Sequence, residues 1–251
     1  MAKPKVLIIR VAGTNCDKET EFAFSSLGAD TFLWHINHLK EKENLDDFQI
    51  ICLPGGFSYG DNLGAGKIFS LELILWFKDR LKRFIEKGGL ILGICNGFQV
   101  LVKSGILPDL DFKQKVTLTN NDSGKFEDRW VYLKIERSLL WFKGLPTIIS
   151  LPVAHGEGKF FCKKEVLGEI EKRGLVALRY VDEGGNLASY PFNPNGSLNN
   201  IAGICDGKGR ILGLMPHPER FIFFSQYPFW QKERIPAFGK IIFKNIIDYF
   251  K

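Results

Sequence analysis

The chain has no C-x-x-C pair among its five cysteines, Cys16, Cys52, Cys95, Cys162 and Cys205, so neither a zinc cluster nor a redox dithiol is signalled. No apolar run approaches the ~18 residues of a membrane-spanning helix. The basic opening is followed by a short apolar stretch at 6–9, without the longer run and small-residue cleavage site of a secretory signal. A reduced, cytoplasmic protein is the expectation, with each thiol free to pack or to react. The Walker spacing with its Lys-Ser/Thr is missing, as are internal repeats, low-complexity tracts and a long Pro/Ser linker. What is present is 251 residues, 45% of them hydrophobic, which excludes a disordered chain. Length alone permits one large domain or two small ones. Lys and Arg number 34 against 28 Asp and Glu, a net charge of +6 that could mark a functional basic surface or nothing.

Short apolar runs alternate with longer helical patterns. Residues 6–9, 31–34, 49–53 and 90–92 read as strands. Asp17 is a candidate cap for a helix over 17–27, with Gly28 as its stop. Apolar residues at Leu73, Phe77, Leu81 and Phe84 predict a helix over 71–85, and a further helix runs through Lys103. This β-α-β-α order predicts a mainly parallel sheet covered on both faces. The second half looks antiparallel, with strands at 115–118 and 130–135 and a hairpin of 201–205 with 211–215. An amphipathic helix over 238–250 closes the chain. One domain over residues 1–251 with an irregular insertion near 110–200 fits better than two.

The sharpest local feature is Gly93-Ile94-Cys95-Asn96-Gly97 between a strand and a helix. It is the nucleophile-elbow pattern with cysteine as nucleophile, the glycines removing Cβ atoms from a tight turn. A thiol there sits at a helix N-terminus that favours thiolate, and the Asn96 N–H can help hold an oxyanion. Read alone, the cysteine could equally be a packing residue. A second segment, Pro216-His217-Pro218-Glu219-Arg220, follows a late strand. His217 can serve as general base and Glu219 as the group that orients it. Read alone, this is a surface turn; together with the elbow it is the rest of a triad. A third, Leu53-Pro54-Gly55-Gly56-Phe57-Ser58-Tyr59-Gly60-Asp61, also follows a strand, and Gly56 with its neighbour offers oxyanion donors. His35-x-x-His38 lacks a third metal ligand and reads as structural, so no metal site is expected. Lys78, Arg80, Lys82 and Arg83 read as a solvated helix face or partner surface, and the aromatics of 221–230 as core or docking face.

Taken in chain order, Pro-Gly-Gly, then Gly-x-Cys-x-Gly-x-Gln, then His-Pro-Glu, the three segments resemble class I glutamine amidotransferases. Fuller strings add to the likeness: Gly93 to Gln99, Asn121-Asp122-Ser123-Gly124-Lys125-Phe126, Ala154-His155-Gly156-Glu157-Gly158, and Val11-Ala12-Gly13-Thr14-Asn15-Cys16-Asp17. Within the family they resemble the glutaminase subunits of phosphoribosylformylglycinamidine synthase, the PurQ type, over nearly the whole chain. Ala12 and Gly64 depart from that pattern, where the family tends to have Pro and Arg. The resemblance implies a flavodoxin-like three-layer α/β/α fold and hydrolysis of L-glutamine through a thioester on Cys95, with His217 and Glu219 completing the triad and Gly56 and Asn96 at the oxyanion. It implies that Gln99 helps bind glutamine, that Asn121, Ser123 and Phe126 contact its amino-acid end, and that His155 and Glu157 lie near a subunit interface or the site's mouth. It implies no cofactor in this chain, with ATP and Mg on a partner synthetase that makes formylglycinamidine ribonucleotide for purine biosynthesis, and a small bridging subunit besides. Three alternatives remain. One is an amidotransferase serving another acceptor. Another is a peptidase- or deglycase-like elbow protein, which would tend to place histidine where Asn96 stands. The last is a non-enzymatic module binding nucleic acid.

Overall fold

The computed structural model describes residues 3–41 and 45–251. Four apolar segments, β1 (Lys5–Arg10), β2 (Asp30–His35), β3 (Ile50–Leu53) and β4 (Leu90–Ile94), pair in parallel in the order β2-β1-β3-β4. The apolar runs of β1, β3 and β4 suit strands covered on both faces, whereas β2, Asp-Thr-Phe-Leu-Trp-His, is a half-exposed edge strand. A fifth parallel strand, β11 (Ile211–Leu214), lies against β4. Beyond it the sheet turns antiparallel through β10 (Ile201–Cys205), β9 (Val176–Val181), β6 (Glu127–Ile135) and β7 (Ile148–His155). The described residues thus form one nine-stranded sheet and a two-stranded one, β5 (Val116–Thr119) with β8 (Lys159–Cys162).

Helix α1 (Asp17–Ser25) packs with α6 (Phe238–Asp248), where Phe24 meets Phe243 edge-to-face at 4.7 Å. Helix α3 (Lys67–Glu86) packs with α4 (Asn96–Lys103), while α2 (Ile36–Lys40) is a single short turn. The mainly parallel sheet with antiparallel additions is therefore as expected, and the 201–215 hairpin forms. Its turn is held by Asp206, whose carboxylate accepts hydrogen bonds from the N–H groups of Lys208, Arg210 and Ile211.

Three local expectations change. The 110–200 stretch is ordered rather than irregular, holding β7, β8, α5 (Lys164–Lys172) and β9 in addition to β5 and β6. Helix α5 buries only Ile170, so its apolar periodicity is faint, and Pro152 interrupts the strand signal of β7. Asp17 is the first helical residue rather than a cap; Cys16 holds the cap position and makes no side-chain cap bond. The basic stretch of α3 is partly engaged within the chain: Arg80 donates to the Leu39 carbonyl and Arg83 pairs with Asp46 at 2.5 Å. Among the described residues no helix is long and apolar enough to cross a membrane.

Candidate active site

The loops after β1, β3, β4 and β11 all leave the sheet at the carboxyl ends of its parallel strands, where open α/β sheets bind ligands. Cys95 stands between β4 and α4 with φ 50° and ψ −105°, a strained conformation for a residue with a Cβ. The flanking glycines explain how the turn is built. A Cβ on Gly97 would fall 1.9 Å from the Leu53 carbonyl oxygen, and one on Gly93 would fall 2.8 Å from the Gly97 oxygen. The strand-to-helix turn closes against β3 only without those carbons. The Cys95 N–H donates to Leu214 O at 2.8 Å, which ties the elbow to β11.

His217 lies three residues past the end of β11, between Pro216 and Pro218. Its N–H donates to the Pro152 carbonyl at 2.8 Å, fixing the loop on β7. Nδ1 lies 2.6 Å from Glu219 Oε1, and both side chains are buried. Burial opposes charge on this imidazole. The Glu219 carboxylate and the thiols of Cys95 and Cys16 outweigh that and hold its pKa well above the ordinary histidine range. Nε2 is buried and makes no hydrogen bond.

A cavity of about 480 Å³ opens in front of Cys95. Gly56, Phe57, Asp61, Gln99, Phe126 and Glu157 are among the residues that line it. The Pro-Gly-Gly loop is seated by Gly56, φ 144°, whose Cβ would fall 2.7 Å from Asn15 N. Asn96 binds this loop to α4, accepting from Ser58 N–H at 3.2 Å and donating to Asp61 and Gln99. Gln99 in turn donates to the Glu157 carbonyl at 2.5 Å. The thiol of Cys95 faces the Ala154 carbonyl at 3.7 Å.

The structure brings Cys95, Gly56, Gln99 and Phe126 to this cavity and sets the His217–Glu219 pair beside it. Asn121 lies behind the wall with its amide fully engaged: it donates to the carbonyls of Lys125 and His155 and accepts from Gly158 N–H. Ser123 lines an adjoining cavity, with Tyr190 and Asn193. His155 and Glu157 both line the cavity of Cys95.

Sequence reasoning assigned no part to Asp61, Lys125 or Cys16. The first two line the same cavity. Cys16, Glu219 and His217 hold their donor atoms within 4.8 Å of one another, so a thiol, an imidazole and a carboxylate gather where no metal cluster was expected. The Val11 to Asp17 string carried Cys16, but residue spacing gives no sign that position 16 meets position 217. Of the aromatics after the His-Pro-Glu segment, Phe221 is core, while Phe223, Phe224 and Phe229 stay largely exposed.

His155 gives the site an acid sensitivity. Burial, reinforced by the charge of His217, lowers its pKa to about 3. Neutral His155 contacts Asn121 Oδ1 and Asn195 Nδ2. A histidine with a depressed folded pKa stabilises the fold fully above its unfolded pKa of about 6.5 and loses that contribution as pH falls. Between pH 7 and 5 this one group withdraws about 2 kcal/mol. Denaturant titrations of the wild type and of His155→Gln should show that slope in the wild type only. Equal slopes would remove His155 as its source.

The CobB/CobQ-like glutamine amidotransferase domain model matches residues 3–250. The chain is 47% identical to phosphoribosylformylglycinamidine synthase subunit PurQ of Dehalococcoides mccartyi, covering 99% of this chain and 98% of that one. It is 41% identical to the subunit of the same name from Archaeoglobus fulgidus, covering 98% and 97%. Among solved structures, a chain of PurLQS from Thermotoga maritima superposes with a TM-score of 0.77 at 31% identity, covering 100% of both chains. A Thermotoga maritima glutamine amidotransferase, at 15% identity and a TM-score of 0.59 over 99% of this chain and 98% of that one, shares the fold.

Proposed function

The chain belongs to the family of CobB/CobQ-like glutamine amidotransferases, and on that premise we propose that it is the glutaminase subunit of phosphoribosylformylglycinamidine synthase. It hydrolyses L-glutamine to glutamate and ammonia. The ammonia serves a synthetase subunit that converts formylglycinamide ribonucleotide to the amidine in de novo purine biosynthesis. Near-full-length relatives bearing that subunit's name support the assignment, as does the likeness to a chain of the PurLQS assembly. The partners are accordingly a large synthetase subunit and a small bridging one. By this reading ATP and Mg act on the synthetase, and this chain carries no Walker segment. Residues 1–251 act as one catalytic unit, a reading supported by a single sheet that joins strands from Lys5 to Leu214. Five free, buried thiols suit a reducing, cytoplasmic setting.

The observation that carries the mechanism is the buried His217–Glu219 pair, 2.6 Å apart, beside a cysteine on a tight elbow at the cavity. The Cys95 thiolate attacks the side-chain amide carbon of glutamine. His217, having taken the thiol proton, passes it to the departing ammonia, and Glu219 holds the imidazole in the tautomer this requires. Backbone N–H groups at Gly56 and Asn96 stabilise the tetrahedral oxyanion, each worth about 3 kcal/mol. Water activated by His217 then cleaves the thioester. Gln99 shapes the cavity for the substrate through Asn96 and Glu157, and Phe126 covers the amino-acid end. Asn121 and Ser123 act on that end through the 121–126 segment.

Hydroxylamine tests the intermediate. It should divert the thioester to γ-glutamyl hydroxamate in the wild type, in competition with glutamate. Addition of the synthetase, the bridging subunit, ATP and formylglycinamide ribonucleotide should raise glutamine turnover. An absence of hydroxamate would overturn the thioester route, and an absence of stimulation would overturn the purine assignment.

A further inference from the structure

Cys16, in the loop after β1, places a second thiol beside the imidazole of His217. Gly55 makes the room: a Cβ there would stand 2.9 Å from His217 Cε1 and 3.1 Å from Cys16 Sγ. The donor atoms of Cys16, His217 and Glu219 lie within 4.8 Å of one another, and all three residues are buried. Two polar atoms of this group, His217 Nε2 and Glu219 Oε2, are buried without a hydrogen bond. Such atoms carry an uncompensated desolvation cost, and Glu219 Oε2 in particular has a lone pair with nothing to meet it.

We propose that Cys16, His217 and Glu219 form a binding site for a thiophilic divalent cation, zinc above all, and that the bound cation shuts the glutaminase off by taking His217 away from Cys95. The inhibitory role rests on reading His217 as the base; the binding itself does not. The donor set selects the cation. One thiolate, one imidazole and one carboxylate suit zinc, whereas magnesium and calcium ask for oxygen ligands alone. Zinc bonds of about 2.0–2.3 Å put tetrahedral ligands roughly 3.4–3.6 Å apart, so side chains now within 4.8 Å close on the ion by modest adjustment. Water supplies the remaining position. The sulfur is already steadied by Arg220 Nη2 at 3.3 Å and by Asn15 Oδ1 at 3.2 Å. Binding releases the Cys16 proton, so it strengthens as pH rises. Whichever ring nitrogen the ion takes, proton transfer between Cys95 and the leaving ammonia is lost.

Cobalt(II) serves as the visible probe and zinc as the competitor, on the full chain. The wild type and Cys95→Ser should each take up one cobalt ion with a thiolate-to-metal charge-transfer band that zinc removes. Cys16→Ser and Cys16→Ala should lose the band and bind zinc at least about tenfold more weakly. Half-inhibition of glutamine hydrolysis in Cys16→Ser should need correspondingly more zinc. Thermal melts of the metal-free variants establish that they are folded. The proposal is overturned by a wild type without the band, or by a band that survives in Cys16→Ser and vanishes in Cys95→Ser. The Cys95→Ser band is read without any turnover, so it reports the metal site even if the glutaminase reading were to fail.

Discussion

Replacing Cys95 with alanine should lower glutamine hydrolysis by about 10⁴-fold or more, because the proposed reaction passes through that one sulfur. The size of the effect follows from how the elbow is built. Cys95 alone in the chain combines a strand-end turn, the N-terminus of α4 and an outlook onto the cavity. Cys52, Cys162 and Cys205 are buried away from that turn, and Cys16, although it stands beside His217, lies in the loop after β1 and does not line the cavity. The variant should fold, since alanine removes a sulfur whose contact with the Ala154 carbonyl, at 3.7 Å, is long and weak. In the assembled synthase, ammonium salts should still support amidine formation when glutamine does not. Ammonia release from glutamine near the wild-type rate in Cys95→Ala would sink the nucleophile assignment.

The second large effect belongs to Glu219. Glu219→Gln keeps the shape but replaces the carboxylate that faces His217 Nδ1 at 2.6 Å. An amide there can present its N–H to Nδ1 and favour the wrong tautomer, and it gives no charge to stabilise the imidazolium. By analogy with the buried carboxylate of a serine-protease triad, the expected loss is about 10³–10⁴-fold. Because Glu219 lies outside the cavity lining, the loss should fall on kcat and leave KM nearly unchanged. Steady-state kinetics on the purified variant measure the split. A loss below tenfold, or one carried by KM, would take Glu219 out of the triad.

Much of this site was legible in the chain because its motifs are local. Gly93, Cys95 and Gly97 constrain one turn by contacts within a few residues and against β3. The prolines around His217 work on the same scale. Four of the parallel strands, β1, β3, β4 and β11, also announce themselves, since burial on both faces leaves apolar runs. The rest depends on long-range meetings that no periodicity encodes. Strand β8 and helix α5 have mixed patterns that blur into loop, while β7 and β9 are mostly buried but have their apolar runs broken by Pro152 and Arg179. Asn121 is marked by its motif, yet its amide spends itself on His155 and Lys125 beneath the surface. Cys16 reaches His217 across 201 residues, and Lys125, Asp61 and Glu157 share a wall only after three loops converge.

The position of β11 has a consequence for the newborn chain. Strand β4 and Cys95 leave the ribosome more than a hundred residues before their neighbour β11 and its histidine. During synthesis β1 to β4 can pair, but β4 remains an open edge and the nucleophile has no base. Pairing of β11 with β4 would close that edge and, on the proposed mechanism, bring the base to the cysteine. On the proposed mechanism, a chain cut short before residue 211 has an unpaired β4 edge and no His217 base, so it should not hydrolyse glutamine.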